Sequence, residues 1–284
     1  MVKSFFKVSL LFSWIVFPLL ALNTGVFSYK DLRSLCNSFL AEKGGTAWVT
    51  AAEGISHRKA PLPRKGGRDG SECLLMVRLD PARFRAGILY AHAMGNTAMT
   101  VKDMVARSGA AAGINGSYFD ENDRPLGFLK TRGKMVNDYI ATPVIYSGII
   151  GFSKGRLSIV HRDTFHPLSY DEAFQVGPRL VAGGKATEGL QKTIDFREEH
   201  RRAGCGIDRE GKIVLFVTAP SYATIGWDEL RTILLGPAER GGITPLDVIN
   251  LDGGSSTQLY VKAGSFELKE GNSQVPLGIG FFRK

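Results

Sequence analysis

Three short segments of this 284-residue sequence share one design, an apolar run that ends in a turn of Gly, Asn, Asp or Ser. They are Gly113-Ile114-Asn115-Gly116-Ser117-Tyr118-Phe119-Asp120, Gly206-Ile207-Asp208 and Asn250-Leu251-Asp252-Gly253-Gly254-Ser255-Ser256-Thr257. Strand ends on a rigid sheet hold polar groups in place, and glycine lets the backbone approach a ligand closely. The third segment carries the most chemistry. From Gly253 to Thr257 it offers a series of backbone N–H groups and three hydroxyls, a set suited to phosphate or sugar oxygens. Its other reading is a tight turn in which Asp252 bonds its own backbone.

Other constellations lack a part that their chemistry requires. Gly183-Gly184-Lys185-Ala186 has the outline of a phosphate-binding loop, but Arg179 stands where the first glycine belongs and Ala186 where Ser or Thr belongs. His161 and His166 have poor spacing for two ligands on one helix face, and the five histidines are scattered. No metal site is therefore expected, and no cofactor. Neither a Gly-x-Ser-x-Gly elbow nor a Ser-His-Asp set is evident. Cys36, Cys73 and Cys205 cannot form a complete disulfide framework. Cys36–Cys73 is a pair open to an exported chain, and Cys205 reads as a small core residue. The formal charge of +9 favours anionic ligands. It does not point to nucleic acid, because the densest basic run, His57 to Arg68, is broken by Pro61, Pro63, Gly66 and Gly67 and holds no aromatic residue. That run reads as a solvated surface loop.

The elements that must position these groups are mostly short strands. Cys73–Leu79 and Phe84–Tyr90 flank Asp80-Pro81 as an early hairpin. Thr100 opens a helix with Asp103 three residues on and an apolar face at Val101, Met104 and Val105, and Gly109 can end it. Ala110–Ile114 reads as a buried strand, residues 127–160 as a meander, and Phe174–Val181 as one further run. Cys205–Ile207 and Ile213–Thr218 form a hairpin about Asp208-Arg209-Glu210-Gly211. Trp227, Leu230, Ile233 and Leu234 fall at helical spacing, Leu246–Leu251 is an apolar run, and Gln258–Val261 and Leu277–Phe282 are closing strands. The fold class is α+β, with mixed or antiparallel sheets and a few flanking helices in a single globular domain.

The N-terminus differs from the rest. Lys3 and Lys7 precede an apolar run from Val8 to Leu22, which reads as a signal peptide over residues 1–28 with cleavage before Tyr29, or else as an uncleaved anchor. A helix over Tyr29–Trp48 and the basic loop fill residues 29–72, and the main domain is expected over 73–284. Export to the periplasm or the medium follows, with membrane contact only through an uncleaved N-terminal segment.

Taken in order, five motifs resemble the phosphodiester glycosidase family, which includes bacterial exopolysaccharide biosynthesis proteins. They are Ile114 to Asp120, Pro125-Leu126-Gly127, Val176 to Val181, Arg202 to Asp208, and Asn250 to Thr257. The resemblance extends from about Cys73 to the C-terminus. Ser255 departs from it, standing where members often carry a third glycine, and so does Ala203-Gly204-Cys205, which looks like core variation. The resemblance implies hydrolysis of a sugar-1-phosphodiester on the sugar side, giving free sugar and a phosphomonoester.

Physical chemistry then assigns roles. Cleaving a glycosidic C–O bond passes through an oxocarbenium-like state and usually uses two carboxylates. A phosphate ester departs as a weakly basic anion and needs recognition by Arg, backbone N–H groups and hydroxyls more than a general acid. Asp252 and Asp208 are the expected nucleophile or base, and Asn115 the group that holds a sugar hydroxyl or orients water. Arg179, Arg202, Gly116 and the turn Gly253, Gly254, Ser255, Ser256 and Thr257 are the expected substrate contacts. Asp208 also has a plainer reading as a hairpin-turn aspartate. The rival class is a non-catalytic carbohydrate-binding protein of glycan assembly or export. Convergence of Asp208 and Asp252 on Asn115 separates the two, because aspartates that point apart favour binding.

Overall fold

A computed structural model describes residues 47–63, 71–190 and 195–284. All of them lie in the compact unit Thr46–Lys284. The signal-peptide region, Cys36 and nearly all of the expected first helix fall outside the described residues.

The fold is predominantly β. One sheet has eight strands in the order β1(Val49–Ala52), β2(Ile55–Pro61), β3(Cys73–Leu79), β14(Ile213–Ala219), β13(Ala203–Asp208), β15(Pro245–Asn250), β11(Arg179–Ala182), β12(Lys185–Ala186). A second runs β7(Lys134–Asn137), β6(Leu129–Thr131), β10(Glu172–Val176), β8(Gly148–Ser153), β9(Arg156–His161). A third runs β17(Phe266–Glu270), β16(Leu259–Ala263), β5(Ala112–Asn115), β18(Leu277–Arg283), β4(Phe84–Tyr90). Every pairing in these sheets is antiparallel, which selects the antiparallel of the two arrangements expected.

The three sheets enclose one apolar core, with Val77 and Leu215 from the first, Phe152 and Phe174 from the second, and Ile114 and Phe281 from the third. Alternate residues of β3 and β14, Leu74, Met76, Val214 and Phe216, face the other way and are covered by helix α2(Trp227–Leu235) through Trp227, Leu230 and Leu234. These central strands are buried on both faces, which is why they read as unbroken apolar runs. Helix α1(Val101–Ser108) covers the third sheet with Val101, Met104 and Val105. It begins as expected: Thr100 accepts from the Asp103 N–H and Gly109 ends the helix at φ 74°. Among the described residues, no helix is long and apolar enough to cross a membrane.

Two strand readings are corrected. β3 and β4 are not a hairpin, since β3 pairs with β2 and β14 while β4 pairs with β18 in another sheet. The Phe174–Val181 run is two strands, β10 and β11, parted at Gly177-Pro178 and assigned to different sheets. The basic run also begins inside the fold. β2 pairs with β3, and its Arg58 is buried, donating to the Gly241 and Gly242 carbonyls beneath the Trp48 ring. Strand alternation there turns a basic side chain inward, where carbonyls and an aromatic face compensate its charge. Cys73 is buried at the start of β3 and is a free thiol among the described residues; its possible partner Cys36 lies outside them. Cys205 is a core residue whose thiol is pushed up to about 12 by burial.

Candidate active site

Asn115 ends β5 in the third sheet, and Asp252 follows β15 in the first. Their segments are joined where the sheets meet. The Asp252 N–H donates to the Gly116 carbonyl at 3.0 Å, and Asn115 Nδ2 donates to the Asp252 carbonyl at 2.7 Å. Asn115 Oδ1 accepts from the Gln258 N–H at 3.0 Å, so one buried amide spans both ends of the Gly253–Thr257 turn. Gly116 lets this strand end pack closely on β18, since a Cβ there would overlap Leu277.

Around Asp252 stand groups from all three sheets. Tyr118 donates its hydroxyl proton to the Gly177 carbonyl at 2.6 Å and accepts from Asn250 Nδ2 at 3.2 Å. Asn250 Oδ1 accepts from Trp227 Nε1 at 2.9 Å, and the Arg202 guanidinium lies over the Trp227 ring at 4.1 Å. Tyr146 meets Tyr118 edge-on, with ring centroids 5.3 Å apart.

The carboxyl of Asp252 has a pKa raised to about 6. Burial is the main cause, and hydrogen bonds from the Ser256 hydroxyl and the Gly253 N–H oppose it. Burial first, and that negative charge second, push the Tyr118 and Tyr146 phenols upward. Burial draws Arg202 down to about 10, against the smaller opposing effects of Tyr118 and Glu198. The result is a carboxylate that titrates near neutrality inside a ring of polar aromatic and amide groups, which suits a base or a nucleophile.

The sequence model of the phosphodiester glycosidase family matches residues 108–282, a span that holds every one of these groups. The chain belongs to the phosphodiester glycosidase family. The fold is similar to a hypothetical protein from Synechocystis, with a TM-score of 0.60 and 15% identity over 84% of this chain and 63% of that one. This chain thus spans less than two-thirds of the Synechocystis protein. It is also similar to the catalytic domain of zebrafish N-acetylglucosamine-1-phosphodiester alpha-N-acetylglucosaminidase, auto-inhibited by its pro-peptide, with a TM-score of 0.59 and 15% identity over 83% of this chain and 86% of that one. No curated protein matches the sequence.

In this family member the expected site residues divide. Asp252, Asn115, Gly116, Arg202 and the Gly253–Thr257 turn come together. Asp208 does not: it lies at the opposite end of β13, five residues from Ala203, or roughly 16 Å at the usual rise of a strand. It is 1% exposed, and Arg78 grips its Oδ2 through Nε at 2.8 Å and Nη2 at 2.6 Å. Its Oδ1 accepts from the Glu210 and Lys212 N–H groups. This is the hairpin-turn aspartate, with its lone pairs committed. Arg179 is committed as well, to Asp247 at 3.0 Å.

The phosphate-cradle reading of the turn also changes. The N–H of Gly253 serves Asp252, those of Gly254, Ser256 and Thr257 serve the carbonyls of Arg201, Gly253 and Gly254, and Thr257 is fully buried. The turn thus shapes and holds Asp252, while Ser255 is exposed at its tip and keeps a negative φ, so serine in place of glycine there carries no strain. Arg202 is 4% exposed, and its Nε and Nη2 donate to the Ile225 and Glu198 carbonyls, which closes that edge of the guanidinium to a phosphate fork. Tyr118, Tyr146, Asn250 and Trp227 join the site without a sequence signal of their own for that role. Tyr118 and Asn250 lie within the quoted motifs, and only pairing between sheets brings Tyr146 and Trp227 to them.

Proposed function

We propose that this protein is a hydrolase that cleaves the glycosidic C–O bond of a sugar-1-phosphodiester in an exported or cell-surface glycan. The observation that carries the proposal is Asp252, a carboxylate with a pKa near 6 at a junction of family motifs. Above that pH it is ionised and offers negative charge, or a base for water, to an oxocarbenium-like centre. Water adds hydroxide to the sugar carbon, the C–O bond breaks, and the proton ends on the phosphomonoester or in solvent. One carboxylate suffices for such a leaving group, because a phosphate ester departs as a stable anion.

A second reading, non-catalytic glycan binding, is favoured by the placement of Asp208 away from Asp252. Incubation of the purified protein with a panel of sugar-1-phosphodiesters in ¹⁸O-water separates them. The hydrolase reading expects free sugar carrying the label and an unlabelled phosphomonoester. Label in the phosphate would mean P–O cleavage, and no turnover of any member would leave the binding reading.

We also propose that it acts outside the cytoplasm, on the strength of Lys3, Lys7 and the Val8–Leu22 run. Intact mass of protein from the cell envelope or medium should show loss of residues 1–28, and a full-length cytoplasmic product would defeat the idea.

A further inference from the structure

Beside the Asp252 site, the segment between β7 and β8 forms a ledge whose outer part none of the roles above uses. Tyr139 stands near its outer end with 59% of its surface exposed, and its N–H is held by Asn137 Oδ1 at 3.0 Å. Tyr146 stands at its inner end, edge-on to Tyr118. The ledge is fixed from beneath by Gln175, a fully buried amide. Its Oε1 accepts from the Phe128 and Ala141 N–H groups, and its Nε2 donates to the Ala141 and Tyr146 carbonyls. Arg162 Nη1 adds bonds to the Ala141 carbonyl at 3.3 Å and the Pro143 carbonyl at 2.7 Å. Exposure rises along three tyrosines, from enclosed Tyr118 through half-buried Tyr146 to exposed Tyr139, whose phenol lies close enough to Tyr146 to act on it electrostatically. An exposed aromatic ring on a pinned backbone binds with little ordering cost. Its apolar face and phenolic edge match the apolar face and hydroxyl rim of a sugar ring.

We propose that this ledge binds a sugar ring of the substrate other than the one released, so that the ligand is a glycan chain rather than an isolated sugar phosphodiester. The proposal rests on the functional reading above for the position of the reacting bond. Its test does not need turnover, because neutral oligosaccharides carry no phosphodiester. Full-length protein is titrated calorimetrically with oligosaccharides of one to six rings built from N-acetylglucosamine, mannose or glucose. Affinity should rise by about threefold to tenfold with length in one of these series, on the scale of a stacking contact. Tyr139→Ala should abolish that rise, and Tyr139→Phe or Tyr139→Trp should restore it. Affinity that does not depend on length in any series overturns the proposal, as does an unchanged length dependence in Tyr139→Ala. A dimer in sedimentation that Tyr139→Ala dissociates would assign the ledge to self-association and equally overturn it. Length-dependent binding in a protein that hydrolyses no phosphodiester would sustain the ledge while removing the hydrolase reading.

Discussion

The two ends of the β13–β15 pair each place an aspartate where a strand enters a turn, and their surroundings are opposite. Asp208 faces the Arg78 guanidinium and two backbone N–H groups, with its side chain 2% exposed. Among the described residues Asp252 has no cation bonded to it, only a hydroxyl and one N–H against strong desolvation, and its pKa climbs to about 6. A partnered buried carboxylate holds the fold, whereas one with few donors keeps a proton available for chemistry. Residue type and position at a strand end do not distinguish these roles. What distinguishes them is the counter-charge, supplied at the Asp208 end by a third strand, β3.

The largest effect that tests this contrast is loss of activity at one end. Asp252→Asn is nearly isosteric and removes the charge, so turnover of a cleavable sugar-1-phosphodiester should fall at least about a hundredfold. The melting temperature at pH 7.5 should hold or rise, since a desolvated charge is removed. Near-normal turnover in the folded variant would take Asp252 out of the reaction.

The converse applies at the other end. Asp208→Asn leaves Arg78 with the exposed Glu210 at 3.0 Å as its one carboxylate partner among the described residues. Urea unfolding should show a loss of about 2 kcal/mol, the scale for breaking a buried charge-assisted contact. Turnover well below the transition should stay within about threefold of wild type, as expected for a residue remote from the reacting bond. A large kinetic defect in stable Asp208→Asn protein would undo the contrast.

The pH dependence sharpens it further. With the Asp252 carboxylate as the reactive form, kcat/KM should climb about tenfold per pH unit below pH 6 and level off above it. Stability runs the other way. The folded protein binds this proton more tightly than the unfolded chain, whose value is near 3.8, so the contribution is present below about pH 4 and lost as pH rises through about 6. Subtracting urea midpoints of Asp252→Asn from those of wild type between pH 4 and 7 should reveal that decline.

Much of the fold is legible locally, and the site only in part. The Thr100 cap, the turn from Asp208 to Gly211 and helix α2 are written in neighbouring residues. Which strands lie side by side is not, so β3 and β4 look like a hairpin and β10 and β11 look like one strand. For the same reason Asp208 and Asp252 look equivalent. Antiparallel register sets Gly204 against Asn250 and Asp208 against Pro245, and this sends the two aspartates to opposite ends of the sheet. The tyrosine ring is hidden too, because Tyr118 and Tyr146 meet only when the second and third sheets pack together.

The smallest effect concerns Ser256. It is buried, and its hydroxyl is one of the two hydrogen bonds that hold the Asp252 pKa down against desolvation. Ser256→Ala removes that donor and leaves the Gly253 N–H, so the carboxyl should titrate above its present value of about 6. The acid limb of kcat/KM should then move upward by as much as about one pH unit, equivalent to about 1.4 kcal/mol. The plateau at high pH should change much less, because the ionised carboxylate is still present there. A purely structural serine would behave differently, lowering stability and leaving the limb in place. Loss of a hydrogen bond at the far end, in Glu210→Ala, should also leave the limb in place, because Glu210 supports Arg78 rather than Asp252. If Ser256→Ala does not move the limb, the group that titrates in the reaction is not Asp252.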